Sequence, residues 1–182
     1  IPEKTYEKIK LYSFNGHLKG EKLNCDKLDW KVVNGSIAIS GVDTKKLALE
    51  TVNGPIDAVG GKANFCEVKT VNGTITLEGS YLDSDIETVN GTTNYSLKAG
   101  AERYYADLKA TTGSVYVQVT EDMAVEGKLK TNVGGFSCEL KDLNIIEEKK
   151  EFVQKSLMFS ANEKGNGTLK LTAETHTGSI AV

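Results

Sequence analysis

The chain has 182 residues, enough for one domain or one long repeat array, with 39% hydrophobic and 26% charged residues and a formal net charge of −3. That hydrophobic share is low for a compact globule, and an acidic balance without a Lys/Arg cluster argues against a nucleic-acid partner, which calls for a basic face. The longest apolar run falls far short of the roughly 20 residues of a membrane span, so no span is expected in this chain.

Two prolines and 18 glycines, with many Thr and Val, point to strands and turns. The chain opens on Ile1-Pro2-Glu3-Lys4 without a methionine, and we expect that a signal or anchoring segment precedes it. A charged segment, 5–11, leads into the first turn, Phe14-Asn15-Gly16. Val33-Asn34-Gly35, Val52-Asn53-Gly54, Val71-Asn72-Gly73 and Val89-Asn90-Gly91 follow, at steps of 19, 19 and 18 between them. Next comes an insertion at 98–106 carrying Arg103, Tyr104 and Tyr105, then a weaker turn at Thr111-Thr112-Gly113 and another at Asn132-Val133-Gly134. A second insertion, 141–164, reads as a charged loop or hairpin around Ile145, Ile146, Phe152 and Val153, followed by a strand at 156–160. The last turn, His176-Thr177-Gly178, stands 44 residues after Gly134, which reads as two coils of 22.

Counting from each glycine, the positions seven and five before it and two and four after it are mostly apolar, the alternation of a strand on both sides of the turn. The column five before reads Leu11, Trp30, Leu49, Val68, Ile86, Leu108, Leu129 and Ala173. Four before, the outward column reads Tyr12, Lys31, Glu50, Lys69, Glu87, Lys109, Lys130 and, at the last copy, Glu174, with alternating sign from Lys31 to Lys109. In a solenoid these residues are neighbours about 4.8 Å apart and opposite charges favour the register. In an array of hairpins, the usual reading of Asn-Gly, they would stand two strands apart and gain little. The pattern therefore predicts an all-β fold: a single parallel β-helix-like solenoid over 1–182, with about eight or nine coils of 18–22 residues. Its structural corners fall at Asn34-Gly35, Asn53-Gly54, Asn72-Gly73 and Asn90-Gly91, where stacked Asn side chains can bond between coils. The Thr column of Thr51, Thr70, Thr88, Thr131 and Thr175 suits a place inside or beside each corner.

Repeats of this form, closing in Thr177-Gly178-Ser179-Ile180-Ala181-Val182, resemble a bacterial adhesin-type domain family of unknown function, over roughly residues 9–140 and 165–182. The resemblance implies a β-helix of short parallel strands in proteins that are often secreted or membrane-tethered. Some relatives take part in cell-envelope stress responses. It carries over no catalytic residue.

The residues themselves offer little to catalysis. His17 and His176 sit at different repeat positions many coils apart, so they cannot share a site. Cys25, Cys66 and Cys138 form neither a closed disulfide framework nor a zinc spacing. Asp57, Asp83, Asp85 and Glu87 are the acids a polysaccharide-cleaving β-helix or a weak cation site would draw on, but a solvated acidic turn explains them better. No catalytic residue, metal ligand or cofactor is assigned. The expectation is a non-enzymatic cell-surface or envelope binding module whose ligand, glycan or protein, meets Arg103, Tyr104 and Tyr105. The alternative is a scaffold stacking through its terminal coils, because nothing follows Val182 to cap the last apolar strand.

Overall fold

The computed structural model describes residues 5–151 and 153–182; the opening Ile1-Pro2-Glu3-Lys4 and Phe152 lie outside the described residues. In chain order the strands are β1 (Thr5–Asn15), β2 (Leu18–Glu21), β3 (Asn24–Asn34), β4 (Ile37–Ser40), β5 (Asp43–Asn53), β6 (Ile56–Asn72), β7 (Ile75–Asn90) and β8 (Thr93–Leu97). They continue with β9 (Arg103–Thr112), β10 (Val115–Val119), β11 (Ala124–Val133), β12 (Phe136–Ser137), β13 (Asn144–Lys150), β14 (Lys155–Ala161), β15 (Thr168–Thr177) and β16 (Ile180–Ala181).

Each Asn-Gly corner turns the chain from a long wall, stacked β1-β3-β5-β6-β7-β9-β15-β11, into a short wall, stacked β2-β4-β6-β7-β8-β10-β16-β12. β6 and β7 run through the far bend and serve both walls. Every pairing between coils is parallel, as in β3–β5, β5–β6 and β7–β9, which makes the fold an all-β solenoid and excludes the hairpin array. The two walls enclose one core, in which the inward positions read from the alternation are sealed: Leu28, Trp30, Ile37, Ile56, Val68, Ile75, Ile86 and Leu108 are all 0% exposed. Each such Leu or Ile contributes about 1.5–3 kcal/mol by leaving water.

The corners are built as the repeat implies. Asn34, Asn53, Asn72 and Asn90 each donate Nδ2–H to the Oδ1 of the asparagine one coil earlier, at 3.0, 2.9, 2.8 and 3.0 Å, a ladder that begins on Asn15. Thr51 and Thr70 are buried beside the corner and donate their hydroxyls to the carbonyls of Gly35 and Gly54, at 3.1 and 3.2 Å. The corner glycines are dictated chiefly by close stacking: a Cβ on Gly54 would lie 2.0 Å from the Gly35 carbonyl oxygen.

Two features differ from the sequence reading. The first is the order of the coils. The first six follow one another along the chain, where eight or nine were expected in succession, and then the order breaks. β15 pairs in parallel with β9 on one side and with β11 on the other, so the last coil of the chain lies between two coils that precede it. This arrangement completes the charge column. In chain order Lys130 follows Lys109, a repulsive neighbour; in space Glu174 stands opposite both, and the alternation runs unbroken from Lys31 to Lys130.

The second concerns the ends. The C-terminal coil has neighbours on both sides: Val182 is 8% exposed, its N–H donates to the Ser137 carbonyl at 2.9 Å and its carbonyl accepts from Glu139 at 2.8 Å. It offers no open edge, so self-association through that coil is set aside. The insertion at 141–164 performs the capping instead. It folds into the antiparallel hairpin β13–β14, and β14 covers the outer edge of β11. Gly127 makes this cover close, because a Cβ there would fall 2.1 Å from the Phe159 ring, which fills that space and is 1% exposed. Of the insertion at 98–106, only 98–102 is a loop; Arg103 to Ala106 begin β9.

Candidate functional site

The outer faces of the two walls are chemically different. On the long wall, charged side chains pair with one another. Lys31 bonds Glu50 on the next coil and Lys130 reaches Glu174 at 3.7 Å, whereas Lys69 and Lys109 turn sideways along their own strands to Glu67 at 2.9 Å and Asp107 at 2.7 Å. The Lys69 ammonium, hydrogen-bonded to Glu67, holds that carboxyl below the usual range. A hollow of about 170 Å³ lies among Lys31, Lys46, Glu50, Glu67 and Lys69, but four of those five are already satisfied by each other.

The residues expected to form a ligand surface are not brought together. Arg103 and Tyr105 point outward from β9, Tyr105 between Asp83 and Lys170 of the adjacent strands. Tyr104 lies between them in sequence but points inward and is 0% exposed. Its hydroxyl accepts from the Ala101 N–H at 2.6 Å and sits 3.2 Å from Ser80 Oγ. Tyr104 is therefore a core side chain that pins the 98–102 loop, a correction the alternation of β9 requires.

The four acids divide as well: Asp83, Asp85 and Glu87 line the outside of β7 around buried Ser84, while Asp57 stands on the short wall. Among the described residues no group of three or more His, Cys, Asp or Glu is placed to hold a metal ion. His17 Nδ1 bonds Ser36 Oγ at 2.8 Å and His176 Nδ1 bonds Asn132 Nδ2 at 3.0 Å, each within its own corner. Cys66 is sealed in the core, where burial pushes its thiol far up, and Cys25 and Cys138 are free thiols.

The short wall holds residues the sequence reading passed over. Register places Thr76, Asn94 and Tyr116 in one outward column across β7, β8 and β10, with Ala181 after them on β16. Ser96 and Gln118 form the next column beside Glu78. Tyr116 is 47% exposed and borders two shallow depressions. One, of about 490 Å³, is lined by Thr76, Asn94, Ser96 and Gln118 over a floor of buried Leu77 and Tyr95. The other, of about 570 Å³, shares Ser96, Tyr116 and Gln118 and extends to Lys98, Thr120 and Ser137. Among the described residues, the side chains of Thr76, Asn94, Ser96, Tyr116 and Gln118 make no hydrogen bond within the chain. Glu78 of the first depression and Lys98 of the second are paired with each other.

A parallel solenoid with Asn-Gly corners defines the class: an all-β repeat domain with two broad outer walls. The chain belongs to the Toastrack DUF4097 family, whose model matches residues 1–182. It is also similar to the uncharacterized protein YvlB of Bacillus subtilis (strain 168), 42% identical over 181 residues, which covers 99% of this chain and 49% of that relative. The chain thus spans about half the length of that relative. No solved structure matches it. Among the described residues no helix is long and apolar enough to cross a membrane.

Proposed function

We propose that this chain is a non-enzymatic binding module of the bacterial cell surface or envelope, and that it holds its ligand on the short wall around Tyr116. The observation that carries this reading is the contrast between the walls. Many long-wall charges are held by one another in ion pairs, whereas the hydroxyl and amide groups near Tyr116 are unpaired and face solvent beside an exposed ring. Groups of this kind bond an incoming ligand without first giving up a partner in the chain. The resemblance of the repeats to secreted and tethered domains supports the envelope setting. His17 does touch the Ser36 hydroxyl, but on an exposed corner where, among the described residues, no carboxylate orients the imidazole, and Cys66 is sealed in the core; both support a binding role over a catalytic one.

An array of glycans and cell-wall fragments tests the site. Wild-type protein is expected to bind a subset, and Tyr116→Ala to weaken that binding about tenfold, which is ~1.4 kcal/mol, with thermal unfolding unchanged. Retention of full binding by the variant would remove Tyr116 from the site.

A second reading, end-to-end stacking of copies, draws on β13. Among the described residues that strand pairs only with β14, all seven of its residues are exposed, and Ile145 and Ile146 are 53% and 62% exposed. An open strand edge of this kind is a template for another chain, though the charges of Glu147 to Lys150 blunt it. Light scattering at rising concentration separates the two readings: growth in mass that Ile146→Lys suppresses supports stacking, and a constant monomer mass removes it.

A further inference from the structure

Taking the Tyr116 wall as the binding face, we infer that its ligand is an extended chain of uncharged sugars, laid along the solenoid axis across β7, β8 and β10. Tyr116 is the ridge between the two depressions, and both are bordered by Ser96, Tyr116 and Gln118. A ligand of one ring fills one side only. A ligand that uses the ridge and both sides is a chain with residues before and after the tyrosine. The neighbouring coil places Ala181 beside Tyr116, so no large side chain blocks the path.

The spacing of the polar groups favours a sugar chain over a peptide. Thr76 and Asn94 in one column, and Ser96 and Gln118 in the next, repeat with the coil at about 4.8 Å, a distance close to the length of one pyranose ring. An extended peptide advances about 3.3 Å per residue and falls out of step within two coils. Peptides that add to sheets also need an open edge, and β8 is hydrogen-bonded on both sides, to β7 and to β10.

The chemistry of the groups agrees. Hydroxyls and primary amides both donate and accept, as sugar hydroxyls do, and an exposed Tyr offers a flat apolar face with a wet edge to the C–H side of a ring. An acidic polymer would find only Lys98, which is already held by Glu78.

The test is calorimetric titration with neutral cello- and chito-oligosaccharides in a length series from the monomer upward. The monomer is expected to show no measurable binding. Affinity should climb with length and level off once the chain spans both depressions. Asn94→Ala and Gln118→Ala should each weaken the longest oligomer about fivefold, without moving the melting temperature. Equal binding of monomer and oligomer, or no binding of any neutral series, overturns the inference. Binding of a peptide or an acidic polymer that Tyr116→Ala abolishes keeps the site and rejects the sugar chain. Binding indifferent to Tyr116→Ala rejects the site itself.

Discussion

Deleting residues 166–182 is expected to leave a protein whose first six coils stay folded while residues 124–161 lose their protection against hydrogen exchange. Among the described residues, β15 is the only strand that joins β11 to the rest of the long wall, because β11 pairs with β15 and β14, and β14 pairs onward only with β13. β16 does the same on the short wall, between β10 and β12. The deletion also removes Leu169, Leu171 and Ile180, which are 0%, 2% and 0% exposed. At about 1.5–3 kcal/mol each, their burial rivals the ~5–15 kcal/mol by which a whole domain is stable. In a stack held by nearest-neighbour contacts, loss of an interior coil disconnects everything beyond it. Amide exchange read by mass spectrometry should show residues 24–97 as protected as before and 124–161 exchanging freely, with the thermal transition lowered and broadened. Full protection of 124–161 in the deleted protein would mean that the cap docks elsewhere and that β15 is not its attachment.

This dependence marks the limit of what the repeat discloses. Alternation within a coil is local, so the buried columns, the Asn ladder and the Thr column could be read from spacing alone. Coil order is a long-range property, and the step of 44 residues before Gly178 allowed the last coil to be placed at the end of the stack. Two residues carried the missing signal. Lys130 breaks the charge alternation if it follows Lys109, and Gly127 stands in a mostly apolar column, where it clears room for Phe159. The ligand residues fared less well for a related reason. Three neighbours in sequence, Arg103, Tyr104 and Tyr105, cannot share one face of a strand, and parity sends Tyr104 into the core. Parity also sends Tyr116 outward, into a column whose lack of charge over Thr76 and Asn94 was visible in the repeat but is informative only beside the ion-paired wall.

A single added methyl group at the corner stack should cost nearly as much as the deletion. With Gly178→Ala, the new Cβ would lie 2.0 Å from the carbonyl oxygen of Gly113 and 2.6 Å from its carbon, at a backbone φ of +151°. Overpacking a core commonly costs about 1–3 kcal/mol when flexible side chains can give way. Here the obstacle is backbone on the neighbouring coil, held by the Thr175 hydroxyl at 2.9 Å, while Gly178 N–H is itself held to the Val133 carbonyl at 2.8 Å. Relief requires the two coils to part, which breaks parallel pairing on both sides of β15. We expect a loss of at least ~3 kcal/mol in urea unfolding, or failure to fold. Gly135→Ala is the control: it sits one residue past the equivalent corner glycine, with no atom within 4 Å of the added carbon, and should shift stability by less than ~0.5 kcal/mol. If the two variants unfold alike, the corner glycines are set by turn preference and not by contact between coils. The stack would then owe its register to the asparagine ladder and the charge column alone.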